Sequence, residues 1–219
     1  VPSPSEHRAR ERGRQLDRVN AFSDGVFSIA ATLLVLSIDI PNGTNANLTR
    51  DLANLERPVF AYFVSFAVVS VFWLHHHRLL GRLAASDQGF AVRNLVFLSF
   101  VALLPAPTQL LARYPDKTAP VIIYAINVMV LAALSMHLSR YADASGLTDA
   151  PAEDLGESWV VRYSVFLAFG ISIPIAFLDP RDATWVWLLS AVIPRVAGRL
   201  DGSHEERKRR KAQARAHRD

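Results

Sequence analysis

Polar side chains suited to chemistry are few in this chain, and they stand inside apolar sequence. Arg18, Ser23 and Asp24 open one apolar run, His75, His76 and His77 close a second, and Arg93 with Asn94 opens a third. Three chemistries suit such a set. Consecutive histidines can ligate a transition metal, but neighbours on a helix point about 100° apart and do not chelate together. Asp24 with a histidine can relay protons, because imidazole titrates near neutral pH. The third is a hydrogen-bonded clamp between helices, the usual work of polar side chains within a membrane span. The residue types favour the clamp. An enzyme is not expected. The chain has no cysteine, which removes thiol catalysis, disulfides and cysteine-ligated metals. No nucleophile is paired with a base, and the histidine triplet lacks the carboxylate spacing of a di-metal site. No cofactor is implied.

The elements that must position these residues are membrane helices. Hydrophobic residues make up 51% of the 219 residues and charged residues 20%, with the charges crowded into the ends and a few short gaps. A soluble domain spreads its charge along every surface face, so the chain reads as an all-α integral membrane protein. A span needs roughly 20 apolar residues at about 1.5 Å each. Six stretches qualify: Val19 to Ile40, Pro58 to His75, Phe90 to Leu111, Pro120 to Leu138, Trp159 to Leu178, and the short Ala183 to Val196. The predicted organisation is a basic arm over 1–18, a six-helix unit over 19–199 and a basic tail over 200–219. The opening residues have no apolar core of a signal peptide. Nineteen of the 24 Lys and Arg fall on the side that holds both ends. That excess places both termini in the cytoplasm of a multi-pass cell-membrane protein. The net charge of +4 resides in tails beside apolar segments. There it serves orientation, and no nucleic-acid partner is expected. The run Arg207 to Lys211 is read the same way.

With alternating directions, the first helix carries Arg18, Asn20, Ser23 and Asp24 at its cytoplasmic end. The second brings Trp73 and the histidines to that level, and the third starts there with Arg93 and Asn94. Arg18 and Asp24 lie about 240° apart around one helix, so each needs a partner on another. Further along, Ile29, Leu33 and Leu36 form an i, i+4, i+7 stripe, with Thr32 beside it and Phe22 and Gly25 extending it. Spacing alone suits a lipid-facing or core stripe better than a pore wall.

A resemblance shifts that weighting. Arg18-x-x-x-Phe22-Ser23-Asp24, followed by Gly-Val-Phe-Ser-Ile-Ala-Ala-Thr-Leu-Leu-Val-Leu, resembles the first-helix signature of the transmembrane protein 175 potassium channels. Trp73-x-x-His76-His77, Asn94 and Pro105 fit the same family, whose likeness covers all six spans in outline and is densest from Arg18 to Pro105. The resemblance implies one six-helix unit per chain in bacterial members and a homotetramer whose first helices line a potassium pore. It assigns Ile29, Leu33 and Leu36 to a stacked apolar constriction and Thr32 to a pore-side position linked to selectivity. It assigns Arg18, Phe22, Ser23, Asp24, Trp73, His76, His77 and Asn94 to a helix-anchoring network. In agreement, the chain has no Thr-Val-Gly-Tyr-Gly carbonyl filter. Four copies about one axis close such a pore, and apolar rings gate by dewetting. Near the outer mouth, Asp39, Asp51 and Glu56 read as solvated loop charges. The alternative is a proton- or ion-coupled secondary transporter using Asp24 and a second-helix histidine. Transporters often carry inverted repeats and broken helices. Pro105, Gly170, Pro174 and Pro194 can be read as breaks, but no repeat is visible.

Overall fold

Apolar runs of this length adopt helix in lipid because each peptide group must be satisfied within its own segment. A computed structural model describes residues 4–39, 55–149, 159–180 and 182–187. The helices are α1 (Pro4–Leu33), α2 (Glu56–Gly81), α3 (Gln88–Leu103), α4 (Pro105–Arg113), α5 (Thr118–Ala144) and α6 (Trp159–Ala176). Residues 182–187 are also helical. Among the described residues, four segments are long and apolar enough to cross a membrane: Gly13–Ser37, Glu56–Gly81, Gln88–Arg113 and Thr118–Ala144, with Val165–Ala176 a shorter apolar stretch. The first four expected spans are therefore present. The fifth is helical from Trp159, and the sixth begins as helix. Its remainder, Asp51 and the 200–219 tail lie outside the described residues. The expected basic arm is not separate from the first span: α1 runs through it from Pro4.

Two spans are not uniform α-helices, and one of them is interrupted at a proline already readable as a break. α1 tightens into a 3-10 turn over Leu34–Ser37 and then becomes extended at Ile38. Ser37 Oγ donates to Leu34 O at 2.7 Å, which helps hold that turn. The third span bends at Pro105, which has no N–H to return to the preceding turn. The Leu104 N–H bonds Val101 O at 3.1 Å instead. Thr108 Oγ1 lies 2.9 Å from both Leu104 O and Ser65 Oγ, tying the bent segment to α2.

One large core joins α1 to α6 around Phe27, Leu34, Phe97, Leu104, Tyr124 and Phe169. A second, smaller core sits at the basic end, where Leu79, Leu80, Leu83, Phe90, Leu138, Ala142 and Leu147 pack together, with Leu16 and Val19 against them. The middle of α1 at Leu16 and Val19, the end of α2, the start of α3 and the end of α5 thus meet at one level, as alternating directions require.

A polar collar closes this end. Asp87 caps α3 by accepting from the Phe90 N–H at 2.6 Å, and its other oxygen accepts from Tyr141 Oη at 2.9 Å. The Phe90 amide, helped by the Tyr141 hydroxyl and the Arg93 charge, holds the exposed Asp87 carboxyl below its ordinary value. That contribution is present above about pH 4 and is lost as pH falls through the lower folded value. Arg93 lies 3.8 Å over the Tyr141 ring, donates to Gly89 O at 2.9 Å and to His137 Nε2 at 3.2 Å. Gly89 permits this stack, since an added Cβ would strike Tyr141 Oη and come within 2.9 Å of Tyr141 Cζ.

Gly89 is therefore set by packing and not by helix propensity. Ala is a better helix former by about 1 kcal/mol, yet Gly89→Ala is expected to lower thermal stability by roughly 1–3 kcal/mol through overpacking. Tyr141→Phe added to it removes the nearest colliding atom and should recover part of the loss. A more stable single variant would show that the collar is not close-packed.

Candidate functional site

α1 carries two faces with different fates. Ser23, Phe27, Ala30, Leu34 and Ser37 are buried against the other helices. Their spacing alternates four and three residues, the seam of a packed helix. The stripe lies on the other side, with Ile29 62%, Leu33 42% and Leu36 64% exposed and Thr32 exposed beside them. The change to 3-10 geometry keeps this stripe aligned, because residues i and i+3 eclipse in that helix. Leu36 therefore stands over Leu33, as Ser37 stands over Leu34 on the buried side.

Two adjacent residues hold α1 to two different helices. Asn94 Nδ2 on α3 donates to Ser23 Oγ at 3.0 Å, and Ser23 Oγ donates to Val19 O at 2.8 Å. Trp73 Nε1 on α2 donates to Asp24 Oδ1 at 3.0 Å.

The three histidines separate as their 100° spacing requires. His75 Nδ1 lies 2.9 Å from Val71 O within α2. His76 is buried, its ring 5.6 Å from Phe27 and 5.2 Å from Phe97. His77 stacks on Trp73 at 5.2 Å. No metal-holding group of three His, Cys, Asp or Glu occurs among the described residues.

The predicted network is thus brought together in part. Ser23, Asp24, Trp73, His76, His77 and Asn94 form two layers, one through Ser23 and Asn94 beside His76, the other through Asp24, Trp73 and His77. Arg18 and Phe22 stay exposed on α1. Arg18 has no hydrogen bond or ion pair among the described residues. Arg93, expected at the same level, turns instead to Tyr141 and His137. Sequence reasoning missed those partners, along with Asp87 and Gly89. The legible signals were Asp87 three residues before Phe90, an N-cap spacing, and His137 with Tyr141 one turn apart on α5. Asn20 Oδ1, Asn94 Oδ1 and His76 Nε2 are buried with no partner among the described residues.

The chain is similar to known proteins. The family described as endosomal/lysosomal potassium channel TMEM175 matches residues 18–105. A potassium channel from Streptomyces collinus is 33% identical over 173 residues, which cover 74% of this chain and 82% of that protein. The mouse endosomal/lysosomal proton channel TMEM175 is 36% identical over 102 residues, 42% of this chain and 20% of that longer protein. The crystal structure of a lysosomal potassium-selective channel TMEM175 homolog from Chamaesiphon minutus superposes with a TM-score of 0.70 at 28% identity. That superposition covers 83% of this chain and 97% of the other.

The Trp73–Asp24 bond is measurable by a double-mutant cycle. Trp73→Phe and Asp24→Leu should each lower stability in detergent by about 1 kcal/mol, typical of bonds between membrane helices. The double variant should cost clearly less than the sum of the two. Simple additivity would show that the pair contributes nothing as a pair.

Proposed function

The chain belongs to the TMEM175 family, and on that premise we propose that it is a potassium-permeable channel of the membrane. Conduction is passive, through a pore lined by the first helices of four copies. Both termini face the cytoplasm, six helices cross the bilayer in each chain, and no cofactor takes part. The observation that carries this reading is the exposed apolar stripe Ile29, Leu33 and Leu36, borne on a helix whose opposite face is buried and pinned. Four such stripes about a cyclic axis make three stacked apolar rings. Rings of this kind exclude water when narrow and conduct when wetted.

Thr32 adds the polar component. Its hydroxyl donates to Ser28 O one turn back. Its lone pairs are left to face a passing cation, since a hydroxyl offers one donor and two acceptor sites. Potassium sheds its hydration at lower cost than sodium, so a tight apolar ring beside four hydroxyls favours it modestly. The coupled-transporter reading needs Asp24 to exchange protons with a histidine. Among the described residues Asp24 bonds Trp73 and no histidine, which supports an anchoring role.

Three measurements test the pore. In planar bilayers, Ile29→Asn and Leu33→Asn should raise unitary conductance and move the potassium-to-sodium ratio toward one, while Thr32→Ala should change selectivity more than conductance. Leu36→Cys in this cysteine-free chain should be blocked by an aqueous thiol reagent added from outside. Native mass spectrometry should find four chains. Unchanged current after confirmed labelling, together with unaltered selectivity in both Asn variants, removes α1 from the pore.

A further inference from the structure

A half-open crevice of about 80 Å³ lies between α2, α5 and α6, on the side of α2 that faces away from the anchors of α1. Its lining is graded along the helices. Toward the membrane interior it is apolar, with Val71, Phe72, Ala132 and Val165. Toward the collar His75, Ser135, Ser139 and finally Arg82 join the apolar Leu79 and Met136. Val71 and Arg82 are eleven residues apart, which sets about 16 Å from the apolar end to the guanidinium.

Arg82 is held at the mouth. Its Nη1 is 3.4 Å from Asp143 Oδ1 and its Nη2 is 3.4 Å from Ser139 Oγ. Asp143 in turn accepts from Thr148 Oγ1 at 3.0 Å, and the Asp149 N–H donates to Arg82 O at 3.0 Å. Asp143 and the neighbouring Asp149 are outnumbered at this rim, because exposed Arg78 and Arg140 stand one turn from His75 and Met136 on the same two helices and join Arg82. The mouth is therefore cationic and built by packing, at the level where a headgroup meets the acyl region.

We propose that this crevice is a binding site for an anionic phospholipid of the leaflet on the basic side. Its phosphate sits at Arg82 and Ser139, and the upper part of one acyl chain lies along Phe72, Ala132 and Val165. The crevice is small and half open, so it takes only a short stretch of one acyl chain and the rest of the lipid remains in the bilayer. Charge complementarity selects the class: basic pockets between membrane helices recognise anionic headgroups. The site is separate from the exposed stripe of α1 and does not depend on its being a pore.

The test uses the whole protein and native mass spectrometry with added phosphatidylglycerol or phosphatidylcholine. Wild type should retain phosphatidylglycerol at one site per chain, about fivefold or more over phosphatidylcholine, the size expected of one interfacial cation. Arg82→Gln should cut that preference about fivefold, Arg82→Lys should keep most of it, and Met136→Trp should lower binding of both lipids by filling the crevice. Met136 takes part in no described hydrogen bond, so its variant keeps the test decisive if Arg82→Gln does not fold. The basic tail is present in every variant, so its own lipid attraction cancels when each variant is compared with wild type. Equal retention of the two lipids by wild type, or unchanged phosphatidylglycerol binding in Arg82→Gln and Met136→Trp, overturns the proposal. So does full displacement of the lipid by millimolar inorganic phosphate, which would make the site one for a free anion.

Discussion

The azimuth of α1 is the constraint on which the rest of the structure depends. In lipid, helices gain nothing from hiding apolar surface, since acyl chains are as apolar as leucine. Rotation of a helix about its own axis is then opposed only by close packing and by specific bonds. A single hydrogen bond acts as a hinge and permits rotation. Ser23 and Asp24 point about 100° apart and bond two different helices, α3 and α2. Two non-parallel tethers at one level fix the rotation. The Ile29, Leu33 and Leu36 stripe inherits its direction from that pair, because a helix carries its orientation along its length.

The neighbouring features serve the same end by holding the holders. Asn94 is placed by α3, whose start is fixed by the Asp87 cap and by the Arg93–Tyr141 stack. Trp73 is placed by α2, whose far end is fixed where Arg82 meets Asp143 and the Ala84 N–H meets Leu147 O. Buried Phe27 and His76 fill the wedge between the two tethers. His76 works there as a ring within an aromatic cluster, with Phe97 on its other side. The histidine triplet, chemically the most suggestive run in the chain, thus resolves into three separate packing roles.

What was legible in the sequence follows from what is periodic. The first four spans, the polar level on three helices and the apolar stripe all repeat at helical spacing, and the residue types at 23, 24, 73 and 94 are those that bond across helices. Contacts made by backbone approach were not legible. Gly89 looks like a weak point in a helix until Tyr141 is set against it. The 3-10 turn over Leu34–Ser37 leaves the i, i+4, i+7 reading of the stripe nearly unchanged, so periodicity gave no sign of it. Arg93 was grouped with the clamp by depth, and Arg18 by depth and by the family resemblance. Depth does not determine azimuth, and both point elsewhere. The crevice near Arg82 needs three helices at once, which no single-helix pattern records.

If the stripe is the constriction, this anchoring also decides how it can open. Rotating α1 away would break both tethers, each worth about 0.6–1.7 kcal/mol, in every chain, and would unpack Phe27, Ala30 and Leu34. Loss of that packing is the larger cost, since truncating even one buried leucine costs about 2–5 kcal/mol. Turning an exposed leucine between staggered rotamers breaks no tether and leaves the buried face intact, at a cost near 1 kcal/mol or less. The 3-10 turn offers a second inexpensive change, because its poorer hydrogen bonds lie close in energy to an α-helical continuation. Leu36 sits on that turn, Leu33 is the last α-helical residue before it, and Ile29 lies one turn further back on the same α-helix. On that premise, movement on opening concentrates at Leu36, and Leu33 and Ile29, both on α-helix, change by side-chain rotamer alone.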